Sequence, residues 1–267
     1  MENTLEFEKN GFIKRLKSML SVDLRRMVKS RLFYIMLGIA LVMPILIVVM
    51  TTMMDGTVTT DPNTGVTTVI EGFKNAWQSI GSVSGSAMTM DLTGMCNINL
   101  IYFAIAVFIC LFIADDFRSG YSKNLFTVRA KKDDYVISKT IVCFICGVSM
   151  LLLYFVGALL GAAISNLPFS MEGFNTTNLV MCMLSKIFLM GVFVAIFVLI
   201  SVGVKQRSWL SMCISLGGGM LLFMMIPVMT PLDANIMNVI LCLAGGIIFS
   251  IGLGAISKLI LKKTNLV

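Results

Sequence analysis

The sequence predicts an all-α protein embedded in a membrane, and three observations carry that expectation. Six apolar segments, at approximately 32–54, 95–114, 140–165, 178–204, 209–229 and 235–257, are each near or above the ~20 residues a helix needs to cross a bilayer. Only Lys186 interrupts them with a formal charge. When the six are threaded alternately through a membrane, all of the 21 Lys and Arg except Lys74 and Lys186 fall on one side. A bilayer core offers the backbone no water, so helices are the natural spanning form.

Composition narrows the class further. Hydrophobic residues make up 57% of the chain and charged residues 13%, with a mean hydropathy of +0.92. Soluble domains are about a quarter charged. Six spans leave little of the 267 residues for anything else. One membrane domain, 1–267, is expected, with no soluble catalytic domain attached. The net charge of +7 reads as a topology signal, and no nucleic-acid partner is expected. The cations lie in segment 1–31, in loop 115–139, at Lys205 and Arg207, and at Lys258, Lys262 and Lys263. By the positive-inside rule that face is cytoplasmic, which places both termini in the cytoplasm. Lys74 and six acids, Asp55, Asp61, Glu71, Asp91, Glu172 and Asp233, lie outside. No signal peptide is expected, because a charged segment precedes a first apolar run too long for an h-region.

In chain order, residues 5–29 read as a basic amphipathic helix, either lying in the membrane interface with its cations toward lipid phosphates or forming a cytoplasmic tail that contacts a partner. Phe12, Ile13, Leu16, Met19, Leu20 and Leu24 recur at helical spacing, with Lys14, Lys17, Arg25 and Arg26 beside them. Pro44 predicts a kink in the first span. The external segment 55–94 is polar, with turn signals at Asp55-Gly56, Asp61-Pro62 and Asn63 to Gly65. It allows a short hairpin over 57–70 and a short amphipathic helix over 71–80 through Phe73, Trp77 and Ile80. Gly157 and Gly161 in the third span are four apart, a spacing that lets helices approach closely. Pro227 and Pro231 mark a broken helix end or a re-entrant turn between the fifth and sixth spans. The seven cysteines lie in or at the edges of the spans. Cys143 and Cys146 form a C-x-x-C inside the third span and read as buried packing.

Loop 115–139 is the most patterned connector. Asp115 and Asp116 end the second span, and Gly120 permits a sharp turn. Tyr121, Leu125, Phe126 and Val128 give a short helix an apolar face, and Lys131, Lys132, Asp133 and Asp134 form a charged corner. Solvation explains the charges but not the interleaved Tyr, Leu and Phe. Those residues indicate a helix that docks on something in the cytoplasm.

At this point the chain resembles the ABC-2 type permeases. An acid at Asp116 stands four before Gly120, the short helix Tyr121 to Val128 follows, and Ser138-Lys139 opens the third span. This is similar to the family's first cytoplasmic loop. The stretch Leu199 to Trp209 resembles the family's passage from span four to span five. The resemblance implies an ABC-2, type V exporter-like permease fold with six spans and an amphipathic N-terminal helix. It implies a permease half that pairs with a second half, as a homodimer or heterodimer. Two copies of a cytoplasmic ABC ATPase would drive the pair within a bacterial plasma membrane. The loop after span two would be the coupling helix, with Asp116 contacting the ATPase, Gly120 setting the turn, and Arg118, Tyr121, Lys123, Leu125 and Phe126 completing the coupling set. Small permeases of this kind often handle amphipathic antimicrobial peptides, for export or self-protection, while others move drugs or lipids. No G-x-x-x-x-G-K-[ST] occurs in the chain, so ATP hydrolysis belongs to another subunit. No cofactor is expected.

Two other classes remain as alternatives. An ion-coupled secondary transporter usually carries an acid within the membrane, and no span contains one. A non-transporting sensor or anchor subunit is separated by capture of the ATPase and a transport assay. An intramembrane enzyme is disfavoured by the absence of histidine and of intramembrane carboxylates. Ser185 and Lys186 adjoin, and neighbouring helical residues point apart. Lys186, roughly 12 Å into the fourth span at 1.5 Å per residue, has two readings. It snorkels to the outer interface, or it faces the translocation path or dimer seam.

Overall fold

The computed structural model describes residues 11–60, 67–84, 96–128 and 133–263. The turn signals Asp61-Pro62 and Asn63 to Gly65, the acid Asp91 and the loop cations Arg129, Lys131 and Lys132 lie outside the described residues. Among the described residues, five helices are long and apolar enough to cross a membrane: α2 (Arg31–Met53), α3 (Ile101–Arg118), α5 (Asp133–Ile164), α6 (Thr176–Val204) and α9 (Ile236–Lys263). The remaining helices are shorter or more polar. They are α1 (Phe12–Lys29) ahead of α2, α4 (Tyr121–Val128) between α3 and α5, and α7 (Ser208–Phe223) with α8 (Met225–Met229) between α6 and α9.

The expected fifth span, 209–229, is not one helix. It runs for 16 residues as α7, breaks at Met224, and resumes as the 5-residue α8. Pro227 supplies the reason. It has no N–H to offer the Phe223 carbonyl four residues back, and its ring crowds that turn. Pro44 behaves otherwise, because α2 continues through it. Its ring lies where a side chain on Gly157 would be, so close packing against α5 holds that turn in place.

α3 is the hub. Ile101, Tyr102, Ile105, Ala106, Phe108, Ile109 and Ile113 are buried around its whole circumference. α2 closes on α5 at the predicted small-residue spacing. A Cβ on Gly157 would strike the Leu41 carbonyl, and one on Gly161 would come within 3.0 Å of the Ile45 Cα. α6 and α9 approach in the same way. A Cβ on Gly246 would lie 2.8 Å from the Phe188 carbonyl, and one on Gly191 would lie 3.5 Å from the Gly246 Cα. α9 otherwise exposes most of its apolar surface, including Ile240, Ile248 and Ile251.

At the end of the bundle opposite the cations, the segment after α2 forms the short hairpin that the alternation allows. β1 (Val58–Thr60) pairs antiparallel with β2 (Thr67–Val69), with Val58 opposite Val69. A 3-10 turn, Ala76–Ser79, follows within the expected 71–80 helix, capped by the Asn75 side chain. Phe73, Ala76 and Ile80 are buried. The segment is stitched down at two places. The Ala76 N–H donates to the Pro168 carbonyl, and the Leu232 N–H donates to the Ser82 carbonyl at 2.9 Å. Asp233 also accepts from the Ser84 hydroxyl at 2.7 Å.

Candidate functional site

The cation-rich end of the bundle contains a buried network of charges. It begins with α1, whose buried stripe is Met19, Asp23 and Met27. These residues are four apart, so they share one helix face. Leu20 and Leu24 pack against the same core, whereas Phe12 and Ile13 are exposed at the start of the helix. The amphipathic helix therefore presents much of its apolar face to the protein itself, with an aspartate in the middle of that face.

Asp23 is met by the first turns of α5. Lys139 Nζ donates to Asp23 Oδ1 at 2.8 Å, and the Ser138 hydroxyl donates to Asp23 Oδ2 at 2.6 Å. The same ammonium lies 2.7 Å from Asp116 Oδ2 at the end of α3. Asp116 also accepts from Arg26 at 2.7 Å and from the Tyr135 hydroxyl at 3.0 Å. The side chains of Asp23, Asp116 and Lys139 are 0% exposed. Buried charges persist only when paired and hydrogen-bonded. Here two carboxylates face one ammonium and one guanidinium, so the formal charges cancel. Arg26 also stacks 3.8 Å from the centre of the Tyr121 ring, and Lys139 lies 4.5 Å from that of Phe112, as cations do over aromatic faces. Burial alone would lower the Arg26 pKa. The charge and hydrogen bond of Asp116, with Tyr121 and Asp23 behind them, outweigh it and raise the value instead. Burial and the nearby Asp23 carboxylate push the Tyr121 phenol up, partly offset by Lys139 and Arg26.

The short helix α4 sits directly on this network. Gly120 has φ +73°, in the left-handed region that glycine enters without steric cost, and it reverses the chain between α3 and α4. The Ser122 hydroxyl donates back to the Asp116 carbonyl at 3.0 Å. The Phe126 ring packs edge-on to Tyr135 with centroids 5.4 Å apart. Leu125 and Phe126 pack against the core of the protein. The outward residues of α4 are Lys123, Asn124 and Thr127.

The predicted coupling residues thus come together, but not in the predicted orientation. The expected docking face of Tyr121, Leu125 and Phe126 is turned inward. The reason is the core that α3 and α5 offer beside it, against which those side chains are half-buried. Asp116 has no surface to present to another chain. Arg118 reaches sideways, donating to the Gln206 carbonyl at 3.1 Å and to the Ser208 hydroxyl at 2.8 Å, which fastens the turn between α6 and α7. Lys123 is exposed. The sequence reading missed Asp23 and gave Arg26 to lipid phosphates. The available signal was an acid placed four residues from each of two methionines on an otherwise apolar stripe.

Lys186 lies far from this network, toward the opposite end of the bundle. It does not snorkel. It is 0% exposed, and its Nζ donates to Asn99 Oδ1 at 2.8 Å and to Thr230 Oγ1 at 2.9 Å. Thr230 is brought there by the chain break after α7. The Tyr102 hydroxyl donates to the Lys186 carbonyl at 2.9 Å. Lys186 forms no ion pair with a described carboxylate. Cys143 and Cys146 are buried free thiols within α5.

A model of the family described as ABC-2 family transporter protein matches residues 20–221. The chain belongs to this family. The match runs from the middle of α1 to the last turns of α7, so it takes in the charge network and α4 together. The permease is accordingly a multi-pass, all-α transmembrane subunit of an ABC transporter. Membership implies association with an ABC ATPase, and the permease itself is a non-catalytic transporter subunit. No curated protein matches the chain, and no solved structure matches it either.

Proposed function

We propose that the permease moves an amphipathic substrate, a peptide, drug or lipid-like molecule, across a bacterial plasma membrane, with ATP hydrolysed by two copies of a separate subunit. Two permease halves would pair, both termini would lie in the cytoplasm, and the external segment 55–94 would cap the far side. Antimicrobial-peptide export or self-protection fits this layout. The observation that carries the coupling part is the seating of α4 on Asp116, Tyr135 and the α3–α5 core. In this reading Asp116 and Gly120 position the coupling helix from below. Tyr121, Leu125 and Phe126 anchor it, and Lys123, Asn124 and Thr127 meet the ATPase. A push on α4 would then reach α1, α3 and α5 at once, because all three share the Asp23–Lys139–Asp116 network.

Lys186 has a narrower place in this scheme. It is held by Asn99 and Thr230, so it meets substrate only when the far ends of α3, α6 and α8 part. The test of the coupling reading is a cysteine at Asn124 in the assembled transporter. Oxidative or bifunctional cross-linking should join it to the ATPase and should respond to bound nucleotide. If Asn124→Cys gives no cross-link while cysteines elsewhere on the cation-rich end do, α4 is not the coupling helix.

A further inference from the structure

A long apolar cleft opens between α5, α6 and α9, and nothing in the coupling scheme uses it. Its volume is about 750 Å³, within the range of a specific ligand site. Phe144, Phe188, Val194, Ile247 and Ile251 supply much of its wall. The Thr140 hydroxyl in the wall is already bound to the Val136 carbonyl at 2.9 Å, so it adds little polarity. The cleft follows from the packing described above. Gly191 and Gly246 pinch α6 and α9 together, and the cleft opens between that pair and α5.

The cleft has a polarity along its length. Lys258 lines it at the cation-rich end, beside Val136, and Leu243 and Phe188 line its inner part. From Lys258 back to Leu243 α9 rises roughly 22 Å at 1.5 Å per residue. Half of a ~30 Å hydrocarbon core is about 15 Å. A chain entering from the interface at Lys258 would therefore run past the midplane without leaving the cleft. An apolar slot at least as deep as one leaflet, with a cation at its mouth, matches one molecule class: a phospholipid with an anionic head group. Basic positions between membrane helices are where such head groups bind.

We propose that this cleft seats an anionic phospholipid of the leaflet at the cation-rich end, one acyl chain between α5, α6 and α9 and the phosphate at Lys258. The lipid is a resident of the permease, held whether or not the ATPase turns over. The site does not depend on the role given to α4.

The test measures phospholipid retained by the full-length permease, purified with its ATPase and washed in detergent until annular lipid is gone. Retained lipid is extracted and identified by mass spectrometry. Wild type should keep a stoichiometric anionic phospholipid. Gly254→Leu places a side chain in the cleft, where a Cβ meets nothing within 4 Å, and should lose most of that lipid. Lys258→Gln keeps most of the stem but not the charge, and its preference for anionic over zwitterionic lipid should fall roughly fivefold. Wild type emerging free of lipid would overturn the proposal. So would undiminished retention by Gly254→Leu, an unchanged head-group preference in Lys258→Gln, or recovery of a soluble apolar compound in the lipid's place. ATPase co-purification, followed in the same samples, reports on the coupling reading separately.

Discussion

Asp116 at the end of α3 and Lys139 at the start of α5 are joined by a 2.7 Å ion pair in which neither side chain has any exposed surface. The two residues flank α4 in sequence, so this pair closes the loop on which the coupling helix is mounted. Asp23 brings α1 into the same pair through its own 2.8 Å contact with Lys139.

Removing the ammonium should be far worse than removing the ammonium and one carboxylate together. Lys139→Met leaves Asp23 and Asp116 buried with only Arg26 between them, and breaking a buried pair in this way costs about 3–5 kcal/mol. The double variant Lys139→Met with Asp23→Asn restores the charge balance and should recover part of that loss. Thermal unfolding of purified protein in detergent measures both. Equal destabilisation by the single and double variants would mean that packing alone explains the position.

The two faces of α4 should respond differently to substitution. Leu125→Asp puts a charge into the permease's own core and should lower its melting temperature even without the ATPase. Lys123→Glu lies on the exposed face and should leave melting unchanged while weakening ATPase co-purification. The opposite pattern would restore the outward docking face expected from sequence.

Gly120→Val should uncouple the transporter and leave it assembled. A β-branched residue is a steric outlier at φ +73°, and the left-handed region costs non-glycine residues roughly 1–2 kcal/mol. Nothing lies within 4 Å of a Cβ at this position, so crowding is not the problem. ATP hydrolysis that no longer depends on substrate is the expected signature, and normal transport would discard the requirement.

Lys186→Met should melt at or above the wild-type temperature and yet transport poorly. The substitution removes a buried cation that has only neutral partners, at the expense of one hydrogen bond to Asn99 and one to Thr230, worth about 0.5–1.5 kcal/mol each. A variant that folds and transports like wild type would show Lys186 to be structural.

Orientation can be read with an impermeant thiol reagent on intact cells, on a background lacking accessible native thiols. Thr57→Cys, on the exposed turn before β1, should label from outside, and Asn124→Cys should not. Ser122 is unsuited to this experiment because its side chain, on the inner face of α4, is buried. Labelling at Asn124 and not at Thr57 would invert the whole arrangement.

Much of the fold was legible in the chain because apolar length and glycine spacing act locally. Gly157 and Gly161 announce a close helix contact before its partner, α2, is known. Gly120 announces a turn of the kind only glycine makes freely. Orientation within the site was not legible in the same way. Tyr121, Leu125 and Phe126 form an apolar face under either reading, and only the position of Tyr135 decides that the face points inward. Asp23 and Lys139 are 116 residues apart. A pairing over that distance leaves no periodic trace, so the sequence does not mark Asp23 and marks Lys139 only as the residue that, with Ser138, opens the third span.

The break after α7 also ties the permease to the thickness of its membrane. α7 covers only about 24 Å at 1.5 Å per residue, against a hydrocarbon core of ~30 Å. Beyond it come the turn at Pro227, which has no N–H for the Phe223 carbonyl, and the irregular backbone around Thr230 and Leu232, sheltered by the segment that holds the Leu232 N–H. In a thicker bilayer, acyl chains would rise to the level of that turn, and the Phe223 carbonyl, denied its helical donor by Pro227, would have no water to meet. Hydrophobic mismatch costs fractions of a kcal/mol per Å. Transport in vesicles of increasing acyl-chain length should therefore pass through an optimum at short chains, with Lys186, whose Thr230 contact hangs from the same turn, the first residue to feel the strain.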